Sequence, residues 1–265
     1  MTLPTVPPTT LDQTEGCYYR PLGDNRYEPT KSTESPWDSA MQHGGPPAAL
    51  LGHLLKIDGL RLARISVDFL GPIPRREFRV EVSGIKPGRL TTLNEARMVV
   101  DGRVAVTARA WHLAPGPPPP VSTPTSQAPA RPAEEQVFGG LGDWGYGRSI
   151  EWRCTLGGLD ELGETHVWSR VRMPLLDGVE LTGQDRALIV ADSANGLSAV
   201  LPLDKWLSIP PTMTTTLLRE PVGEWVHLAC RTVLAGDGLG LATAALHDPD
   251  GEVGEVAQPL VVRAR

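Results

Sequence analysis

Apolar and polar residues alternate through long stretches of this chain, and two denser apolar segments interrupt the alternation. The alternation predicts strands, whereas the denser segments predict helices. The first helix is predicted from Ala48 to Leu55, directly after Gly44-Gly45-Pro46-Pro47, because prolines are tolerated in a first helical turn. Strand-like runs follow it at 62–70, 78–86, 90–100 and 103–113.

The second half of the chain has the same order of elements. A helix is predicted over 184–200. Strands are predicted before it at 147–156 and 164–173, and after it near 212–219, 224–234, 238–247 and 252–263. A helix followed by a meander of antiparallel strands, twice over, predicts an α+β fold in which a sheet wraps around a helix. Two unrelated β-sandwich domains are the alternative, and the repetition favours them less.

Short matching sequences support an internal duplication. The run that ends in Gly71-Pro72 resembles the run that ends in Glu220-Pro221, and each is followed downstream by an Asp-Gly pair, Asp101-Gly102 and Asp250-Gly251. The offset is 149 residues in both cases. A repeat of this length indicates two copies of one supersecondary unit.

The duplication allows the two copies to be compared position by position. Aligning the helix openings places Gly52 opposite Asp192. The strand alignment places Ser66 opposite Thr215 and Arg109 opposite Gln258. The first copy therefore lacks the carboxylate and the amide, and we expect one site per chain, formed mainly by the second copy.

Residues 114–135 separate the two copies and are rich in Pro, Ser, Thr and Ala. Such a segment buries too little apolar surface to offset its ordering entropy, so we expect an extended linker. The predicted domains are residues 1–113, the linker 114–135, and residues 136–265.

Composition limits the classes of function. The net charge is −6 and no basic run is present, which argues against a nucleic acid or an anionic membrane as the main partner. The three cysteines are widely separated, which fits a reducing compartment and no disulfide framework. Neither a secretory leader nor a bilayer-length apolar run is apparent, and we expect a cytoplasmic protein.

Several short motifs, taken in order, carry a resemblance to a known family. They are Gln42-His43-Gly44-Gly45-Pro46-Pro47-Ala48-Ala49-Leu50-Leu51, Asp68-Phe69-Leu70-Gly71-Pro72, Ala191-Asp192-Ser193-Ala194-Asn195-Gly196, Arg219-Glu220-Pro221-Val222-Gly223-Glu224-Trp225 and Val256-Ala257-Gln258. Together they resemble the double hot-dog acyl-CoA thioesterases, the thioesterase II-like family, especially its actinobacterial branch. The resemblance implies two fused hot-dog units, each an antiparallel sheet wrapped around a central helix.

The resemblance also implies a site. The family hydrolyses acyl-CoA thioesters with an Asp, a Ser or Thr, and a Gln, and these positions match Asp192, Thr215 and Gln258. His43 with Gly44 and Gly45 is the expected substrate-binding segment, since glycines allow close backbone approach and helix amides can polarise a carbonyl. The chain departs from the family pattern just before Thr215, where an acidic residue is usual.

Each catalytic candidate also has a simpler interpretation. Asp192 could be a local cap, and Gln258 could lie on the solvent face of an edge strand beside Pro259. Strand alternation places Thr215 on one face and its two threonine neighbours on the other, so the face that meets the helix decides among them.

The expected activity is hydrolysis of an acyl-CoA by a bound water, with Asp192 as general base and no metal or organic cofactor. Oxyanion stabilisation is expected from helix N-terminal amides. Two other classes remain: a non-catalytic acyl-CoA or acyl-carrier binding protein, and a hot-dog hydratase or dehydratase. The hydratase pattern is set back because Gly196 occupies the place of its histidine. Self-association into a homo-oligomer is compatible with the family.

Overall fold

The computed structural model describes residues 16–139 and 144–265, and the strands of these residues form one 13-stranded antiparallel sheet. The N-terminal half contributes β1 (Tyr19–Gly23), β2 (Arg26–Pro29), β3 (Arg61–Phe69), β4 (Phe78–Lys86), β5 (Thr91–Val100) and β6 (Arg103–Leu113). The C-terminal half contributes β7 (Ile150–Leu156), β8 (Thr165–Val171), β9 (Trp206–Ile209), β10 (Thr212–Leu217), β11 (Trp225–Leu234), β12 (Leu239–Asp248) and β13 (Gly251–Ala264). The order is β1-β2-β4-β5-β6-β3-β10-β13-β12-β11-β8-β7, with β9 paired to β13.

Four α-helical segments accompany the sheet in the described part of the chain: α1 (Gly45–Leu54), α2 (Gly145–Arg148), α3 (Gly183–Ala191) and α4 (Ala194–Leu197). Helix α1 packs on β5 and β6, and α3 packs on β8 and β11. The two longer helices, α1 and α3, also pack against each other. None of these helices is both long enough and apolar enough to cross a membrane.

Small residues allow α1 and α3 to approach closely. A Cβ atom on Gly45 would lie 2.1 Å from the carbonyl oxygen of Ile189, and one on Gly52 would lie 2.5 Å from Leu188 Cδ1. Thr182 is the N-cap residue of α3, and its side chain accepts a hydrogen bond from the amide of Asp185 in a reciprocal capping box. The glycines thus permit the close contact between the helices, and the capping box stabilises the start of α3.

The predicted elements agree with the structure except at a few places. The helix predicted over 184–200 ends at Ala191, and α4 follows after a turn. The strand predicted at 147–156 begins only at Ile150, because residues 145–148 are helical. Strands β1, β2 and β9 are short elements that the alternation pattern did not predict.

Strands β3 and β10 join the two halves along a central seam. Ile65 pairs with Thr215 and Ser66 pairs with Thr214. Ile65 and Thr215 are fully buried on the face that meets the helices. The partly buried Ser66 and Thr214 make a hydroxyl–hydroxyl hydrogen bond of 3.2 Å. Because alternate residues face opposite sides of a sheet, this pair lies on the outer face.

The register of the two hairpins corrects the alignment of the copies by one residue. Val100 pairs with Arg103 in one hairpin, whereas Asp248 pairs with Gly251 in the other, which gives an offset of 148. The bulges after Met98 and after Leu246 give the same offset. The two Asp-Gly pairs are therefore not equivalent, because Gly251 begins β13 and the second turn consists of Pro249 and Asp250.

This correction changes the residues that lie opposite the candidate site. An offset of 149 places Ser66 opposite Thr215 and Arg109 opposite Gln258. This alignment is wrong, because Ser66 and Arg109 lie on the outer face of the sheet and Thr215 and Gln258 on the inner face. The offset of 148 places Val67 opposite Thr215 and Ala110 opposite Gln258, and all four side chains are buried. The first copy is thus apolar where the second copy is polar.

Residues 114–135, all within the described part of the chain, contain no helix or strand and run extended over the C-terminal half. Ser126 Oγ lies 2.9 Å from His247 Nε2, and Trp168 Nε1 donates to the carbonyl of Pro129. The guanidinium of Arg131 stacks over Trp225 at 4.2 Å. The segment between the predicted domains is therefore anchored by its backbone and side chains.

Candidate active site

Asp192 lies directly after α3, at the C-cap position, and its carboxylate points toward the start of α1 in the other half. Its side chain is 9% exposed. Oδ1 accepts a 2.9 Å hydrogen bond from Gln258 Nε2, and Oδ2 lies 3.3 Å from His43 Nδ1. The backbone amides of Gly44 and Gly45 also lie near the carboxylate and act to lower its pKa. Residues of both halves therefore meet at this one group.

Burial controls the protonation of this carboxylate. Desolvation raises the pKa of Asp192 above its ordinary value, although His43, the two glycine amides and Gln258 act in the opposite direction. A carboxylate with a raised pKa is a better proton acceptor near neutral pH than an exposed one. The environment of Asp192 thus suits a general base.

Gln258 is fully buried on β13, which pairs with β10 on one side and β12 on the other. The edge-strand interpretation of this residue is therefore wrong. Its Oε1 accepts a 3.1 Å hydrogen bond from the amide of Asn195, while its Nε2 donates to Asp192. Both ends of the amide have partners, so its orientation is fixed.

Thr215 is fully buried, and its Oγ1 has no hydrogen-bond partner among the described residues. It pairs with Val256 across β10 and β13, which places it on the same face of the sheet as Gln258. Thr214 and Thr216 face the other side. Among the three threonines, Thr215 alone faces the helices.

The segment His43-Gly44-Gly45 adjoins Asp192 as the N-terminus of α1. The His43 ring stacks on Tyr146 with 3.8 Å between centroids and 11° between planes, and its Nδ1 accepts a 3.2 Å hydrogen bond from the Gly45 amide. A Cβ atom on Gly44 would lie 2.7 Å from Asp192 Oδ2. Glycine is needed here because the carboxylate approaches the backbone so closely.

The amides at this helix start are already engaged. Pro46 and Pro47 have no amide hydrogen, and the Ala48 amide donates to the Gly44 carbonyl. The Gly45 amide donates to His43 Nδ1, and the Gly44 amide acts on the Asp192 carboxylate by lowering its pKa. The first turn of α1 therefore stabilises the carboxylate, and oxyanion stabilisation by helix N-terminal amides stays a prediction.

Two further residues shape the site and were not predicted. Tyr146 donates from its hydroxyl to the Ile189 carbonyl at 2.8 Å, and the same hydroxyl is 2.7 Å from Ser193 Oγ. Asn195 positions Gln258 through its amide and is bonded through its side chain to Ser208. The burial of Asn195 could be inferred from its apolar surroundings, whereas no sequence signal brings Tyr146 to His43.

The fold itself is one that other solved structures share. A conserved protein of unknown function with a hot-dog fold from Alicyclobacillus acidocaldarius superposes with a TM-score of 0.73 at 15% identity, over 97% of this chain and 99% of that chain. The tesB protein of Mycobacterium avium subspecies paratuberculosis gives 0.64 at 17% identity, over 94% and 98%. The acyl-CoA thioesterase II TesB2 of Mycobacterium marinum gives 0.66 at 16%, over 93% and 96%. The chain is therefore a hot-dog protein.

Sequence models define the family within that class. The acyl-CoA thioesterase N-terminal domain matches residues 33–113, and the acyl-CoA thioesterase C-terminal domain matches residues 116–262. The chain belongs to the acyl-CoA thioesterase family and is a thioester hydrolase. A search of curated protein sequences gives no significant match.

Proposed function

We propose that this protein hydrolyses acyl-CoA thioesters with Asp192 as the general base. The observation that carries the proposal is a buried carboxylate of raised pKa, fixed by Gln258, with the unpartnered hydroxyl of Thr215 on the same sheet face as Gln258. Such a group can accept a proton from water only if that water is held in line with the thioester carbon. Thr215 and Gln258 are proposed to hold it there.

The proposed reaction proceeds through attack of water. The water oxygen forms a bond to the thioester carbon while its proton passes to Asp192. The tetrahedral intermediate then collapses, the carbon–sulfur bond breaks, and its electron pair leaves with the sulfur of CoA. The proton held by Asp192 is finally transferred to that thiolate. The products are a carboxylic acid and free CoA, and the reaction needs no group beyond water and these side chains.

The substrate is proposed to reach Asp192 between the two halves. Each half is proposed to be a complete hot dog with its own central helix, α1 or α3, so that the start of one helix meets the end of the other. Substrate binding by His43, Gly44 and Gly45 remains a proposal, supported by their place beside the carboxylate. Their contacts with Asp192 give these residues a positioning part as well.

The replacement Asp192→Asn tests this function directly, because it keeps the size of the side chain and removes the proton acceptor. We expect kcat for acyl-CoA hydrolysis to fall on the order of 100-fold or more, the usual scale for a general base. Short, medium and long acyl-CoAs should be assayed, with circular dichroism as the control for folding. Near-normal turnover by a folded variant would contradict the proposal, and absence of hydrolysis by the wild type would favour a binding protein.

A further inference from the structure

A cavity of about 270 Å³ lies at the opposite end of the contact between α1 and α3 from Asp192. Its wall comes from the segment 56–62 that follows α1, from Thr182 and Gln184 at the start of α3, and from His112 near the end of β6. Asp192, by contrast, lies where the end of α3 meets the start of α1. Exchange of the two copies relates these two places, so the cavity is the first copy's counterpart of the candidate active site.

His112 is a buried histidine in the wall of this cavity. The residue is 1% exposed, and neither Nδ1 nor Nε2 has a hydrogen-bond partner among the described residues. The backbone carbonyl of Ala110 acts to raise the pKa of His112 but makes no hydrogen bond of ordinary geometry with the ring, and burial outweighs it and lowers the pKa. The ring is therefore neutral at neutral pH and offers one N–H donor and one lone pair. Burying both groups without a partner costs free energy, which a ligand in the cavity would recover.

The equivalent position in the second copy is apolar. The offset of 148 places Leu260 opposite His112, and both side chains are buried. The difference is reversed at the positions of Thr215 and Gln258, where the first copy has Val67 and Ala110. The first copy therefore lacks the two groups to which we assign the placement of water, and it has a polar group of its own at another point of the wall.

The ionic side chains of the wall leave no surplus of positive charge. Lys56 Nζ lies 3.1 Å from Asp185 Oδ1, so this cation is already neutralised. The other ionic side chains of described residues that line the cavity are Arg61, Asp58 and Glu220. Carboxylates thus outnumber the one guanidinium, and an anionic ligand would find no free cation to offset its desolvation. An uncharged ligand fits this wall better.

The size and the surface of the cavity also indicate the class of ligand. A single ordered water needs about 10–15 Å³ of such space, whereas pockets for small ligands begin at about 300 Å³. The cavity is therefore close to ligand size, and Leu60 and Leu62 give it apolar surface beside the imidazole of His112. An amide group matches that imidazole, because its N–H can donate to the lone pair and its carbonyl can accept from the ring N–H.

We propose that the cavity at His112 is a second, non-catalytic ligand site, which binds an uncharged molecule bearing an amide. Among the molecules of the proposed reaction, the pantetheine arm of CoA has this chemistry, since it carries amides and no charge. The choice of pantetheine thus rests on the proposed function. Because the first copy has Val67 and Ala110 in place of Thr215 and Gln258, binding at this site is not followed by hydrolysis.

Two variants compared with wild type test the proposal. His112→Leu gives the first copy the residue type of Leu260, and Leu60→Trp fills the cavity while leaving the imidazole in place. Pantetheine should bind this site at least about tenfold more weakly in each variant, so that equilibrium dialysis gives one bound molecule per chain fewer than in wild type. The kcat for acyl-CoA hydrolysis should stay within about twofold, because the proposed catalytic side chains are unchanged.

The NMR signals of the His112 imidazole give a direct readout of the site. They are identified by their absence from the spectrum of His112→Leu. In wild type they should shift saturably with added pantetheine and stay in place with added acetate, which has no amide. Circular dichroism and urea unfolding of both variants are the controls for folding.

Three outcomes would overturn the proposal. They are equal binding of pantetheine by all three proteins, imidazole signals that do not respond to pantetheine, and a response to acetate as large as that to pantetheine. Hydrolysis of acyl-CoA by a wild type whose His112 does not respond would reject this inference alone. A responsive His112 in a protein that hydrolyses no acyl-CoA would reject the proposed function alone.

Discussion

Helices α1 and α3 cross, and an aspartate of the α3 segment lies at each end of their contact. The two aspartates, Asp185 and Asp192, have opposite surroundings. Asp192 meets the neutral ring of His43 and two backbone amides at one end. Asp185, fully buried at the other end, lies 3.1 Å from Lys56 Nζ and 3.2 Å from His53 Nδ1. Asp185 therefore has a lysine beside it, whereas Asp192 does not.

The difference appears in the pKa values of the two groups. Burial acts to raise both. At Asp185 the hydrogen bond from His53 and the charge of Lys56 more than offset burial and lower the pKa. At Asp192 burial prevails and the pKa is raised. A buried carboxylate thus becomes a structural ion pair when a cation neutralises it and a candidate base when none does.

The replacement Asp185→Asn should lower stability and leave activity nearly unchanged. It leaves the partly buried Lys56 without its counter-charge and weakens the capping box with Thr182. We expect the free energy of unfolding to fall by about 2–3 kcal/mol, from the loss of a buried partner and part of a cap. Urea denaturation measures the change, and kcat should stay within about threefold because Asp192, the proposed base, is unchanged.

The matched Asp192→Asn variant serves as the control. It should lose activity without losing stability. A loss of activity in Asp185→Asn as large as that in Asp192→Asn, at equal folded fraction, would show that both carboxylates take part in hydrolysis. A difference in stability between the two variants is expected at neutral pH, and its dependence on pH follows from the two shifts.

The sign of each pH dependence is set by the direction of the shift. The pKa of Asp185 is lowered in the folded state, so its contribution is present above about 3.9, the unfolded value, and is lost as the pH falls through the folded pKa. The pKa of Asp192 is raised, so its ionised form destabilises the fold above the folded pKa. Asp192→Asn should therefore be more stable than wild type at neutral pH. That advantage should disappear as the pH falls through the folded pKa of Asp192 toward about 3.9, as measured by urea unfolding at several pH values.

Thr215→Val gives the second copy the residue type of the first copy, which has Val67 at the equivalent position. We expect kcat to fall by about tenfold while KM changes little, since the hydroxyl is proposed to position water. Stability should not decrease, as a buried hydroxyl without a partner is removed. Gln258→Ala should also lower kcat more than KM. A rise confined to KM in either variant would place that residue in the substrate pocket.

Ser66→Ala should have the smallest effect. Ser66 bonds Thr214 on the outer face of the seam, away from the helices. Its loss should leave kcat within about twofold and lower stability by about 0.5–1 kcal/mol, the value of one partly exposed hydrogen bond. Steady-state kinetics of Ser66→Ala and Thr215→Val should be measured together. An equal loss of kcat in both variants would refute the assignment of inner and outer faces.

Much of this arrangement could be predicted from the sequence because it depends on local patterns. Alternation located β4 and β6 at their observed bounds, and Pro46 with Pro47 indicated the first turn of α1. The alignment failed by one residue because it relied on similar turns, Asp101-Gly102 and Asp250-Gly251, which occupy different places in their hairpins. Only the pairing register reveals that difference.

The electrostatic character of the site could not be predicted in the same way. The distance from His43 to Asp192 depends on how α1 and α3 cross, and no pattern in either helix encodes that crossing. Likewise, the position of Asp192 beyond the end of α3 depends on where the helix stops, and the sequence pattern predicted one helix that continued to residue 200. Tertiary packing therefore determines which aspartate has the raised pKa.

The seam between β3 and β10 has a consequence for folding kinetics. Its paired residues Ile65 and Thr215 are 150 positions apart in sequence, whereas the hairpins within each half pair close neighbours. Contacts between distant segments require the closure of long loops and form slowly. Because His43 and Asp192 come together across this same junction, hydrolytic activity should return during refolding only with the slowest phase, after most of the secondary structure has formed.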